Sequence, residues 1–449
     1  MILVLTDEIE PWFKYIWDQF AQINSLNSEF RITTYSDYLL THSKNKYPII
    51  EYSTKQRFAD SLIVPSKKTF MPDDYVWVED HLPVYRHTVE NLPGSNSYDV
   101  LYNAFIHISR LEEWESEKNG RQIHSYSFNH PRKDKKIWKI PVVNSLFNEL
   151  EKWIKTKYPE VSFGDKKRPI IEFSHDVDYI KKTIQLRIKQ TLFNFFKCSK
   201  NFIRLNVKRG FSNLADGVNF ACRNCDYWCF DGWSKLERES NIKPVYYFFA
   251  KSDHREFNPK RWLLDPSYDI AKNERLKGKC KELLSEGNHL GLHGSYFSSE
   301  DERLFRKEKE ILEDSIGQPI TKSRQHWLNY YESKTPYIHA MAGIEEDSTL
   351  GFNDISGFRS GVASIYHPYD HKNNGPFPFK EIPMVIMDSH LYDYSDDSGQ
   401  NHLRWLIDGL RDVKNVRISV NWHQRVISKD YGWGDGYQTL LSMIQNRGG

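Results

Sequence analysis

Beginning at Arg168 the chain reads RPIIEFSHDVDYI: an apolar run suited to a buried strand gives way to His175, Asp176 and Asp178. In an extended strand, residues two apart point to one face. Asp176 and Asp178 therefore project together, with Val177 on the opposite side. Two carboxylates a few ångströms apart repel unless a cation or a shared proton lies between them. A pair of aspartates capping the following helix is the competing reading of this stretch taken alone.

The same design recurs downstream. KPVYYFFAK (243–251) has the β-branched and aromatic composition of a strand, and NERLKGKCKELLSEG that of a helix stopped by Gly287. NHLGLHGSY is the next strand, and strand–helix alternation continues to VRISVNWHQ near the end. Such alternation predicts an α/β architecture with a parallel sheet or barrel. In those folds functional groups gather at the C-terminal ends of strands. EGNHLGLHGSYFSS (286–299) puts His289 and His293 on one strand face, although H-x-x-x-H alone also suits two surface histidines on a helix. SRQHWLNY (323–330) brings Arg324, His326 and Trp327 together after the strand-like QPIT, and ISVNWHQRV (418–426) delivers His423 at a strand end. A carboxylate with imidazoles is the ligand set for a divalent metal, zinc first, and the remaining groups become acid–base candidates.

Length and composition frame this. At 449 residues one large and one smaller domain are expected. Residues 1–165 alternate short strands with amphipathic helices, including a helix expected over 97–115 and opened by a cap at Ser97. The loop-like PEVSFGDKKRP places a boundary near residue 165, and residues 166–449 form the second unit. Residues 180–240, helical and basic, look like an insertion in it. The net charge of +2 gives no strong pull toward nucleic acid or an anionic membrane. No window of about 18 residues is uninterruptedly apolar, so no membrane span is expected. MILVLTDEIEPW lacks a basic leader and reads as a first strand, which points to a cytoplasmic location. Five cysteines, an odd number, fit a reduced setting better than a disulfide framework. Cys222, Cys225 and Cys229 could form a zinc or iron–sulfur site, but Cys229 in DYWCFDGW reads as a packing residue and incidental clustering is preferred.

Taken in order, SHDVD, EGNHLGLHGSY, SRQHWL and VNWHQ resemble the motifs of the polysaccharide deacetylase superfamily, the NodB-homology carbohydrate esterases. The resemblance covers about 166–440 and implies an irregular (β/α) barrel. Residues 1–150 look like an uncharacterised domain often fused in front of a divergent bacterial branch of that superfamily, through SYDVLYNAFIHISRLEEW especially. The resemblance implies one divalent metal, zinc first, held by Asp178 and His293. Phe297 stands where the family's next histidine belongs and cannot bind metal, so the third ligand is His326 or, less favoured, His289. It further implies Asp176 as catalytic base, Arg324 as its partner and His423 as catalytic acid, with Asp388 preferred over Asp347 as the carboxylate behind His423. The expected activity is hydrolysis of an N-acetyl group on a sugar of a surface polysaccharide or its precursor. An O-acetyl esterase, a hydrolase of non-sugar amides or a catalytically silent carbohydrate-binding relative are the alternatives. The expected partner is a carbohydrate, and oligomeric state is left open.

Overall fold

The structure, a computed structural model, describes residues 1–41, 47–68, 70–71, 74–86, 98–132, 134–252, 259–394 and 400–445. The chain opens with β1 (Ile2–Thr6), α1 (Pro11–Ile23), β2 (Phe30–Thr34), α2 (Tyr35–Thr41), β3 (Ile49–Tyr52) and β4 (Leu62–Val64). The strands form a parallel sheet in the order β2-β1-β3-β4. Pro11 sits in the first turn of α1, where its missing N–H costs nothing, and the helix buries Phe13, Ile16, Trp17 and Phe20. An antiparallel hairpin follows, β5 (Tyr75–Val78) with β6 (Leu82–Tyr85).

The helix expected over 97–115 is two helices, α3 (Val100–Ile108) and α4 (Leu111–Lys118). Arg110 between them is left-handed, at φ 54°. Its buried guanidinium pairs with Glu113 and with Glu332. Tertiary pairing has overridden helix propensity here. Ser97, the expected cap, lies outside the described residues. Asp99 is the N-cap instead, accepting from the Tyr102 N–H at 2.8 Å. α5 (Val142–Lys157) completes this part and shares one apolar cluster with α1, α3, Val362, Tyr366 and Tyr369.

β7 (Ile170–Val177) opens the second sheet. After it come α6 (Ile184–Ile203), α7 (Val207–Cys222), β8 (Val245–Phe248), β9 (His289–Gly294), β10 (Lys322–Gln325) and β11 (Glu346–Asp347). A short hairpin, β12 (Tyr369–Asp370) with β13 (Gly375–Pro376), precedes β14 (Lys380–Glu381), β15 (Met384–Met387) and β16 (Arg417–Asn421). The sheet order is β14-β11-β10-β9-β8-β7-β16-β15, every pairing parallel. Its two edges, β14 and β15, are separated in the chain only by Ile382 and Pro383. The Ile382 N–H donates to the Asp347 carbonyl at 2.8 Å, and the Pro383 carbonyl accepts from Ser419 N–H at 2.8 Å. One extended stretch thus bonds to both sides and closes the sheet into an irregular (β/α) barrel.

The barrel interior is polar around one cation. All five N–H groups of the buried Arg324 guanidinium find oxygen: the Ser348 carbonyl, the hydroxyls of Ser174, Ser348 and Ser419, and Asp176. The Tyr247 ring lies 4.4 Å from its guanidinium carbon. Gly291 leaves room for that ring, since a Cβ there would stand 2.6 Å from it.

Candidate metal centre and active site

The site forms where β7, β9, β10 and β16 end. Asp176 is the seventh residue of β7 and Asp178 the first beyond it; both are buried. In the register, His293 of β9 lies beside Arg324 of β10, which brings the two motifs together. The His293 Nδ1–H donates to the Arg324 carbonyl at 3.0 Å. That bond places a proton on Nδ1 and turns Nε2 toward Asp178 Oδ1, 3.3 Å away. His326 follows β10 in a tight turn in which Trp327 and Leu328 are both left-handed, at φ 61° and 50°. This turn swings the His326 Nε2 to 3.6 Å from Asp178 Oδ1. Among the described residues, Asp178, His293 and His326 are the group of metal-competent side chains whose ligand atoms all lie within 4.8 Å of one another. Asp178 Oδ1 and His293 Nε2 are buried without a hydrogen-bond partner. Three convergent donors, two of them bare, fit a divalent cation.

The alternative ligand His289 is not part of this group. It is the exposed first residue of β9, its N–H bonded to the Pro244 carbonyl. Four residues of strand, about 13 Å, separate it from His293. Sharing a face does not mean sharing an end. Phe297 lies in a short 3-10 turn, its ring 5.6 Å from the Arg261 guanidinium carbon.

Around the trio stand the acid–base candidates. Asp176 accepts from Arg324 at 2.9 Å through Oδ1 and from Asn421 Nδ2 at 2.9 Å through Oδ2. Burial pushes its carboxyl up, but Arg324, with His293 and His423, outweighs this and holds it below the ordinary carboxylate range. His423 Nδ1 lies 2.9 Å from Asp388 Oδ2, and the His423 N–H donates to the same oxygen at 2.7 Å. Burial pulls this imidazole down; Asp388 more than compensates and raises it. Asp347, the less favoured partner, is instead bonded to Ser323 and Thr349.

Two charged residues of the site escaped the sequence reading. Arg425 donates to Asp178 Oδ2 at 2.7 Å, leaving Oδ1 to face the imidazoles. Burial raises the Asp178 carboxyl, but Arg425 and then the neighbouring histidines hold it well below its ordinary value. Asp265 lies 3.5 Å behind His326 Nδ1 and accepts from the Tyr296 N–H at 2.7 Å. A cavity of about 450 Å³ opens over these groups, walled by Tyr126, Tyr179, Trp327 and Tyr394 among others. The cysteines take no part: all five are free thiols, and Cys229 faces the carbonyls of Asp226 and Arg425.

Residues 2–159 match a family described only as a family of unknown function, DUF7033. No curated protein matches the sequence. A candidate polysaccharide deacetylase from Mycobacterium smegmatis has a similar structure at 15% identity, over 63% of this chain and 86% of that one, with a TM-score of 0.37. The polysaccharide deacetylase from Bacillus cereus follows at 8% identity, covering 63% and 89%, with a TM-score of 0.31. A CE4 family pseudoenzyme from Bacillus anthracis matches at 8% identity over 64% of each chain, with a TM-score of 0.28. The family match thus covers the first part of the chain, while each of the three solved structures is similar to 63% or 64% of it at low identity.

Proposed function

We propose that this chain is a metal-dependent hydrolase that removes an N-acetyl group from a sugar. The observation that supports it most is the convergence of Asp178, His293 and His326, with Asp178 Oδ1 and His293 Nε2 buried and unpartnered. Each bare buried polar atom costs roughly 1–3 kcal/mol, which a cation bound between them relieves. Zinc is the first candidate by donor chemistry, two imidazoles and a carboxylate. Such an ion, when bound, polarises an acyl oxygen and makes a water more acidic.

The chain's own residues then divide the proton work. Asp176, kept ionised by Arg324, is the base that takes a proton from the attacking water. Asn421 fixes its second oxygen, so the carboxylate presents one orientation. His423, backed by Asp388 and raised by it, carries the proton that the departing amine needs. Arg425 holds Asp178 in place without covering Oδ1. Aromatic rings around the cavity suit the apolar faces of a sugar. The substrate we favour is a surface polysaccharide or its precursor.

The test is acetate release from N-acetylated oligosaccharides by protein stripped of metal and reloaded with zinc. Acetate from the reloaded protein alone, with one metal bound per chain, is the expected result. No bound metal after reloading, or hydrolysis of simple acetyl esters only, overturns the reading.

A further inference from the structure

The pair α6 and α7 carries a surface that the site chemistry does not use. On α6 the residues Ile184, Ile188, Leu192, Phe196 and Ile203 are exposed and recur at helical spacing. They occupy a single stripe of the helix. On α7, Val207, Phe211, Leu214 and Val218 do the same. The two helices pack closely because Gly210 and Gly217 leave room for the rings of Phe202 and Phe195, which a Cβ would meet at 2.8 and 3.0 Å. Where they join, Ile203, the last residue of α6, is 83% accessible and Leu205 is 86% accessible.

Charge accompanies this surface. Residues 181–223 hold ten Lys and Arg against one acidic residue, Asp216. That is a net +9 in a chain whose total is +2, so the remaining residues carry −7. Lys200, Arg204 and Lys208 cluster at the exposed connection. No helix among the described residues is long and apolar enough to cross a membrane. An apolar stripe bordered by basic residues, too polar to span, is the pattern of a helix that lies in a membrane interface.

We propose that the α6–α7 hairpin docks onto an anionic lipid bilayer, inserting its apolar stripes with the basic residues at the headgroups. A second copy of the chain is disfavoured as the occupant, because the exposed cations Lys200, Arg204 and Lys208 would face their own counterparts. The hairpin also borders the candidate site: Leu186, Lys189, Leu192 and Phe193 of α6 line the 450 Å³ cavity. Docking therefore sets the mouth of that cavity at the lipid surface.

The test is co-sedimentation of the full chain with phosphatidylcholine vesicles, with and without a third of phosphatidylglycerol, at low and high salt. Binding to the anionic vesicles that weakens with salt is expected, and essentially none to the neutral ones. Reversing the charge at Lys200, Arg204 and Lys208 together should lower partitioning by ~100-fold or more, each basic residue near an anionic surface contributing about a factor of five to ten. Leu205→Asp with Ile203→Asp should abolish binding at unchanged thermal stability, since both side chains are more than four-fifths exposed: 86% and 83%. No binding to anionic vesicles at low salt overturns the proposal. So does binding that neither set of substitutions reduces, or a stable dimer that Leu205→Asp dissociates in a protein that ignores vesicles. None of these readouts depends on catalysis, so they stand apart from the test of the hydrolase reading.

Discussion

At Asp176 and Asp178 two neighbouring carboxylates are assigned opposite surroundings, and that is the part of the site most open to single-residue tests. Asp176 is saturated by Arg324 and Asn421, whereas Asp178 keeps one bare oxygen toward two imidazoles. Asp176→Asn and His423→Ala should therefore retain metal and lose turnover, by roughly 10²–10⁴ for each acid–base group. Asp178→Asn and His293→Ala should lose the metal itself. Metal content by mass spectrometry beside acetate release separates the two classes, and metal loss in Asp176→Asn would reverse the assignment. Alternation of faces made the two aspartates legible, because a period of two needs only a strand. His326 was readable as a candidate, but its approach depends on two consecutive left-handed residues, Trp327 and Leu328, which no local propensity favours. Arg425 stands two residues past His423 in VNWHQRV and was there to be weighed as a cation beside a carboxylate. Asp265 sits in the stretch LLDPSY, whose letters carry no such signal.

At the scale of elements, strands and helices with strong periodicity follow the sequence closely, and departures occur where buried charge intervenes. The break between α3 and α4 is one: the left-handed Arg110 at the break pairs with Glu332 far along the chain as well as with its neighbour Glu113. The start of α3 is another, and it carries a pH prediction. Asp99 caps α3 and also accepts from the Tyr52 hydroxyl and the Lys67 N–H. Burial pushes its carboxyl up to about 7 despite these bonds. An unfolded aspartate titrates near ~3.9. The folded state thus binds the extra proton between these values, so the contribution of Asp99 is full below about 4 and is lost as pH rises through 7. Asp99→Asn should remove that slope while still capping through its carbonyl oxygen. It should cost about 1–3 kcal/mol, because Oδ2, which accepts from the Tyr52 hydroxyl and the Lys67 N–H, gives way to a donor. Melting temperatures of the two proteins between pH 4 and 8 test this. Parallel curves would mean that Asp99 is ionised throughout.

At the scale of the whole molecule, the first part of the chain is built into the barrel rather than appended to it. Arg359 of the barrel part donates to Glu113 at 2.7 Å, Arg110 pairs with Glu332, and all four are buried. Arg359→Ala leaves Glu113 short of a partner and should destabilise the whole chain by about 3–5 kcal/mol, read from denaturant unfolding. The same seam reaches the site. Gln122 donates to the Asn329 side chain and the Tyr330 carbonyl, at 3.1 and 3.2 Å, and the Ser125 hydroxyl donates to the Leu328 carbonyl. Asn353, whose N–H is held by the Ser125 carbonyl, donates to the Trp327 carbonyl at 2.8 Å. These bonds grip the left-handed turn that carries His326, a backbone state costing on the order of 1–3 kcal/mol for each such residue. A turn held from outside relaxes when the grip is removed, and a candidate ligand moves with it. Gln122→Ala combined with Ser125→Ala should therefore weaken zinc binding by about 10–100-fold, the usual scale for losing supporting contacts around a metal ligand. Global stability should fall far less than in Arg359→Ala, because the lost donors lie at the edge of the seam. Competitive zinc titration against a chelator measures the first quantity and thermal melting the second. Unchanged zinc affinity in the double variant would make the first part of the chain a passenger of the barrel, and a drop confined to affinity would make it a working wall of the site.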